Sequence, residues 1–488
     1  MTITKRLSGR VIGVFALAMI NIAAIASLRG LPSMAEYGFA SAFFYIVAAL
    51  IFLIPTSLVA AELATGWPKR GGVFIWVREA LGQRWGFVAI WLQWIQNVVW
   101  YPTALSFTAA TLAYVVNPGL AANPIYTVGV ILAVYWGATF ANFKGMKTSG
   151  KITSIGVVSG TILPGLLIIL FAVLWFLSGN TVQMDISWDA FFPDMSGMRN
   201  IALAAGVVLA FAGMEMSAVH AQEVKNPQKD YPKAILIATG IILVVMILGT
   251  LAVSMVVPQK QISLVAGVMQ AFTDYLDMYN LAWLIPVVAV LITFGVVAQI
   301  VTWIGGPSKG ILTTAHYGEL PPFFQKVNEN GVQVNILLVQ GCVVTLLSLM
   351  FLLMPDVSSS YWILSALTAQ LYLIMYVLMF ASAIKLRYSA PNVKRPYKIP
   401  GGNVGIWIVA GIGLLASLFG IALGFYPPSQ LDTGSVLFYH AFLFCGIFVL
   451  AGAPLLIHHF RKPSWVRKEE GPAVAAAPKK KSSKKKRR

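Results

Sequence analysis

The chain has 488 residues, 58% of them hydrophobic and 11% charged, with a mean hydropathy of +0.77 and a formal net charge of +18. A water-soluble domain carries about a quarter charged residues, so this composition excludes a soluble fold and makes lipid the solvent. The apolar runs are long and unbroken, unlike the ~10-residue alternating segments of a transmembrane barrel, so the fold class is an all-α membrane protein.

The hydrophobic runs predict twelve spans, near 11–37, 40–64, 85–113, 125–142, 152–178, 199–221, 234–257, 282–312, 334–353, 361–385, 404–426 and 436–459. The first run follows Lys5, Arg6 and Arg10, but more spans come after it and no soluble domain does, so it reads as a retained span and not a cleaved signal. With the N-terminus placed inside, twelve spans put 32 of the 35 Lys and Arg residues on the inner side. Only Arg199 and Lys260 fall outside, and Arg29 lies within a span. Without the C-terminal tail the split is still 20 to 2, which supports the count and the orientation. Residues 1–10 form a cytoplasmic N-terminus, 11–460 the membrane domain, and 461–488 a tail with 12 basic and 2 acidic residues. That tail cannot build a core and suits the anionic headgroups of the inner leaflet. It comes with no folded nucleic-acid reader.

Two spans carry chemistry that does not belong in a plain lipid-facing helix. Span 1 contains Ser27, Leu28, Arg29, Gly30, Leu31 and Pro32. Gly30 and Pro32 weaken the helix, Pro32 is expected to push Leu31 out of helical geometry, and Arg29 is costly against lipid. Span 6 contains Phe211, Ala212, Gly213 and Glu215, with the glycine two residues before a deep carboxylate. Spans 1 and 6 are five apart. This spacing predicts two inverted five-helix repeats, about 11–178 and 199–385, with extra helices over 404–459. Broken helices at equivalent positions point to a midplane binding site. Free N–H groups at one half-helix attract a carboxylate, and free carbonyls at another attract an ammonium. An amino acid zwitterion offers both. The glycines also fit close helix packing, and an Arg29–Glu215 ion pair bracing the breaks is the alternative to a functional Glu215. A desolvated carboxylate there is a candidate proton carrier. Glu62, near the inner end of span 2, reads as a structural or inner-gate ion-pair partner.

No ATP-binding Gly-x-x-x-x-Gly-Lys-Ser/Thr motif and no His-Glu-x-x-His spacing occurs, so neither a cofactor nor a metal is implied and an enzyme is disfavoured. A channel is disfavoured too, for want of a repeated pore loop or rings of charge. His220, one turn past Glu215, reads as an interfacial histidine or a gating group. Cys342 and Cys445 sit in apolar runs and read as small buried hydrophobes.

Eight motifs, in order along the chain, carry a family resemblance. They are Gly71-Gly72-Val73-Phe74-Ile75-Trp76-Val77, Arg84-Trp85-Gly86-Phe87, Phe191-Phe192-Pro193-Asp194, Gly213-Met214-Glu215, Asn226-Pro227 to Asp230-Tyr231-Pro232, Ala266-Gly267-Val268-Met269-Gln270, Trp303-Ile304-Gly305-Gly306-Pro307-Ser308-Lys309-Gly310 and Ile399-Pro400-Gly401-Gly402. The chain resembles the bacterial glutamate/γ-aminobutyrate antiporter family within the amino acid–polyamine–organocation superfamily. The resemblance implies a LeuT-like fold, alternating access, a bacterial inner-membrane location with both termini cytoplasmic, and an amino acid cargo with possible proton involvement. It implies a site between spans 1, 3, 6, 8 and 10. Ser27, Leu28, Arg29, Gly30, Phe211, Ala212, Gly213, Glu215 and Trp303 would bind substrate. Glu215, Glu62, Trp94, Gln96, Gln299, Tyr372 and Tyr376 would gate or couple. Proton-coupled symport of another amino acid, and sodium coupling, stay open beside exchange. Two positions depart from the family pattern. Leu28-Arg29-Gly30-Leu31-Pro32 replaces a Tyr-Glu-Tyr-Pro-like break, and Gln299 replaces an acid. Both changes make the cavity less acidic.

Overall fold

The computed structural model describes residues 12–25, 27–68, 71–144, 155–156, 158–215 and 224–466. The first ten residues, His220 and the Lys/Arg-rich stretch after residue 466 lie outside the described residues. Span 1 is α1 (Val14–Ile25) and α2 (Leu31–Ala35). It is followed by α3 (Ala40–Gly66), a short α4 (Val73–Leu81), α5 (Gln83–Val116), α6 (Pro124–Phe143) and α7 (Val158–Leu177). The order then recurs: a short α8 (Ala205–Ala210) in span 6, α9 (Pro227–Val256), a short α10 (Gly267–Met278), α11 (Ala282–His316), α12 (Val334–Leu352) and α13 (Val357–Ser389). Two further helices, α14 (Gly402–Gly424) and α15 (Val436–His459), complete the bundle. Ten of these helices are long and apolar enough to cross a membrane. Among the described residues, the expected spans 1 and 6 are interrupted, at Ser27–Gly30 and at Gly213.

The short amphipathic helices α4 and α10 were not expected from the sequence. Each follows the second span of its series. Because five spans separate those positions, alternation of direction puts α4 and α10 on opposite sides of the membrane. Burial picks out the centre. The hydrophobic windows of α13 and α5 are 83% and 78% buried, whereas that of α15 is 11% buried and faces outward. The cysteines correct the sequence reading: Cys342 on α12 and Cys445 on α15 are both exposed. They lie on outward faces of their helices. One crossing needs glycine on both helices. A Cβ on Gly160 of α7 would stand 2.3 Å from the Leu291 carbonyl oxygen and 2.5 Å from the Cα of Gly295 on α11.

The breaks form by different means. Ser27 is extended (φ −150°, ψ 134°), and its hydroxyl accepts from the Arg29 N–H at 3.4 Å, capping a 3-10 turn over Leu28–Gly30. Leu31 keeps helical geometry (φ −61°, ψ −44°), contrary to the expectation that Pro32 would displace it. Pro32 sits in the first turn of α2, where its missing N–H has no partner to lose. In span 6 the stop falls at Gly213, whose φ of +118° strains any residue with a Cβ.

Candidate substrate site

The two breaks face a common cavity of about 90 Å³, large enough for several water-sized groups. Its wall includes Ser27, Arg29 and Gly30 from span 1, Gln96 and Trp100 from α5, Ala212 from span 6, Gln299 and Trp303 from α11, and Tyr361 and Tyr372 from α13. Arg29 dominates its electrostatics. One guanidinium nitrogen donates to Thr103 Oγ1 at 3.2 Å and to the Tyr361 hydroxyl at 3.0 Å. The guanidinium carbon lies 5.7 Å from the Trp100 ring centroid and 5.6 Å from that of Tyr361, within cation–π range. Arg29 Nε is buried without an acceptor. No carboxylate lines the cavity, and Arg29 makes no ion pair among the described residues. The wall therefore carries a cation held in place by neutral groups, with an unused donor.

Glu215 is elsewhere. It is 3% exposed and accepts the Tyr372 hydroxyl on Oε1 and the Tyr376 hydroxyl on Oε2, each at 2.5 Å, while Gln93 Nε2 donates to Oε1 at 3.2 Å. The Tyr376 hydroxyl also accepts the Gly213 N–H at 2.8 Å, which ties the break of span 6 to α13. The alternative Arg29–Glu215 ion pair is absent: each partner is bonded to other groups. Tyr372 lines the cavity of Arg29, whereas Glu215 and Gln93 line a second cavity of about 210 Å³ on the α4 side. Glu215 and the two tyrosines thus stand as a partition between two cavities.

Glu62 lies in a third cluster at the same end of the bundle. Arg387 meets it through two bonds of 2.6 Å, Arg395 lies 3.4 Å away, and the Ile399 N–H donates to it at 2.8 Å. Arg387 also donates to the Ile399 and Gly402 carbonyls, so this one carboxylate fastens α3, α13 and the loop ahead of α14. The remaining expected residues divide. Gln96, Gln299 and Trp303 reach the Arg29 cavity. Trp94 does not: it is 2% exposed and donates to Gln340 Oε1 at 2.8 Å, packed toward α12. Phe211 is fully buried against Tyr45, with ring centroids 5.8 Å apart, and Leu28 turns into an apolar crevice with Gly165 and Met246. Trp100, Thr103 and Tyr361, the groups that hold Arg29, went unnoticed in the sequence. The signal available was the cost of an arginine within a span, which demands polar and aromatic neighbours.

A bundle with two broken helices facing a central cavity that holds an arginine, and a carboxylate partition beside it, is the architecture of a membrane carrier. The chain belongs to the amino acid permease family, whose model matches residues 12–450, and it has the LeuT-like fold of that superfamily. It is similar to an uncharacterized transporter of Legionella pneumophila, with 46% identity covering 92% of this chain and 97% of the relative. It is also similar to the glutamate/gamma-aminobutyrate antiporter of Lactococcus lactis subsp. lactis, with 33% identity over 92% of this chain and 90% of the relative. A more distant likeness, 24% identity over 76% of this chain and 78% of the relative, is to a probable agmatine/putrescine antiporter of the same organism. The protein is a multi-pass membrane transporter of amino acid permease type and not an enzyme.

Proposed function

We propose that the protein exchanges amino acids across a bacterial inner membrane by alternating access, and that its cargo carries a side-chain carboxylate which binds Arg29. The observation that carries this reading is the Arg29 guanidinium, which lies in a cavity without any carboxylate and keeps a buried Nε–H without an acceptor. An arginine and a carboxylate make a strong charge-assisted pair, and a cargo carboxylate supplies the missing counter-charge. The breaks of spans 1 and 6 offer free backbone groups for the α-amino and α-carboxylate ends, and the face of Trp303 offers a further place for an ammonium. Similarity to a glutamate/gamma-aminobutyrate antiporter supports glutamate as the first cargo to try. A dicationic cargo, as named for the agmatine/putrescine relative, would meet Arg29 unfavourably.

In this reading Glu215, Tyr372, Tyr376 and Gln93 form the gate on the α4 side, and Gln96 and Gln299 shape the cavity wall. Glu62 with Arg387 fixes the frame against which the gate moves. Glu215 is also assigned the proton-handling role, because it is the carboxylate that stands between the two cavities. The excess of Lys and Arg on the α4 side supports a cytoplasmic placement of that side and of both termini. The basic tail would then lie against anionic lipid. The test is competition for uptake of labelled L-glutamate into proteoliposomes. L-glutamate and close acidic analogues should compete, L-glutamine weakly, and putrescine not at all. Competition by putrescine as strong as by L-glutamate would overturn the assignment of Arg29.

A further inference from the structure

We propose that the second cavity, on the α4 side of the partition, is a separate cargo station that takes the carboxylate end of the amino acid. The proposal rests on the transport reading above. Trp76 of α4 lines this cavity, is 2% exposed, and has an indole Nε1–H that is buried with no hydrogen-bond acceptor. Buried donors are almost always satisfied, and one left open at a cavity wall marks a place for a ligand atom or a water.

Gly71, Gly72 and Val73 also line the cavity, so the N-terminus of the nine-residue α4, with its partial positive charge, opens onto it. Lys309 of α11 lines the same space and is exposed. Glu215 supplies the opposite sign. Among the described residues these are the two charged groups of the wall. An amino acid zwitterion fits such a pair, with its carboxylate toward Trp76, Lys309 and α4 and its ammonium toward Glu215. The cavity also has room: a Cβ built on Gly72 or on Gly306 would meet no heavy atom within 4 Å.

The two cavities then repeat one device. Each has a buried N–H without an acceptor, Arg29 Nε in one and Trp76 Nε1 in the other, and Glu215 with its tyrosines lies between them. Cargo arriving from the α4 side docks at Lys309 and Trp76 first and passes to Arg29 when the tyrosines release Glu215.

Equilibrium binding of labelled L-glutamate to the full-length protein in detergent tests this. Wild type should bind two molecules per chain. Trp76→Phe, which keeps the ring and removes the donor, should bind one, and Arg29→Gln should bind one at the other station. Lys309→Gln, a milder change at an exposed position, should weaken the second site about tenfold while the first site keeps its affinity. A wild-type stoichiometry of one, unaltered by Trp76→Phe and Lys309→Gln and lost in Arg29→Gln, would overturn the second station and leave the transport reading intact. Loss in Trp76→Phe with none in Arg29→Gln would instead overturn the role given to Arg29.

Discussion

The Tyr376 hydroxyl makes two bonds at once, accepting the Gly213 N–H at 2.8 Å and donating to Glu215 Oε2 at 2.5 Å. Tyr376→Phe removes both and leaves the ring in its place against Phe52, whose centroid is 5.1 Å away. A hydrogen bond to a charged group contributes about 1.5–3 kcal/mol net, so the loss of the carboxylate bond alone costs the closed gate about 2 kcal/mol. At 1.4 kcal/mol per factor of ten, that raises the open-to-closed ratio roughly 30-fold. The Gly213 N–H bond adds to this only if it also breaks on opening, so the figure counts one bond. The assay is efflux of preloaded labelled L-glutamate from proteoliposomes with no counter-substrate outside. Wild type should leak slowly, and Tyr376→Phe should leak about 10–30 times faster. Tyr372→Phe, which removes the Oε1 bond, should behave alike. Efflux at the wild-type rate from both variants, with folding intact, would refute the partition as a gate.

Arg29→Gln should raise the KM for L-glutamate by roughly 10–100-fold, matching the loss of a charge-assisted pair, and change that for L-glutamine little. Equal losses for both would make Arg29 a brace. Glu62→Gln should lower stability by about 3–5 kcal/mol, because it leaves Arg387, whose side chain is 1% exposed, without its counter-charge. Thermal unfolding in detergent reads this, and adding Arg387→Met should recover part of the loss. Glu215→Gln, which removes the acid at the partition between the two cavities, should flatten the pH dependence of transport. A pH profile identical to wild type would remove Glu215 from proton handling.

The spans were legible because lipid demands about twenty apolar residues in a row, and that demand leaves a mark no tertiary contact can erase. The breaks were legible for a related reason: Arg29 and Glu215 are expensive in a membrane, and Gly30, Pro32 and Gly213 stand beside them. The detail of the first break was not. Pro32 looked like its cause, yet the chain bends at Ser27, where a side-chain cap stabilises an extended residue. The helices α4 and α10 escaped because stretches such as Val73–Leu81 are too short to show a span and mix Arg78 and Glu79 with apolar residues. The placement of Glu215 also escaped. Its chain position next to Gly213 put it at the break, but only the fold shows that Tyr372 stands between it and the cavity of Arg29. Trp94 and Trp100 lie on the same helix less than two turns apart. Only Trp100 reaches the cavity, because facing helices and not composition decide which ring does so.

Counterflow reads exchange of an amino acid through the Arg29 cavity. Proteoliposomes preloaded with unlabelled L-glutamate should take up labelled L-glutamate many times faster than empty ones, and Arg29→Gln should shrink that difference at glutamate concentrations below its raised KM. Equal uptake by loaded and empty vesicles for L-glutamate and every other amino acid tried would contradict the account.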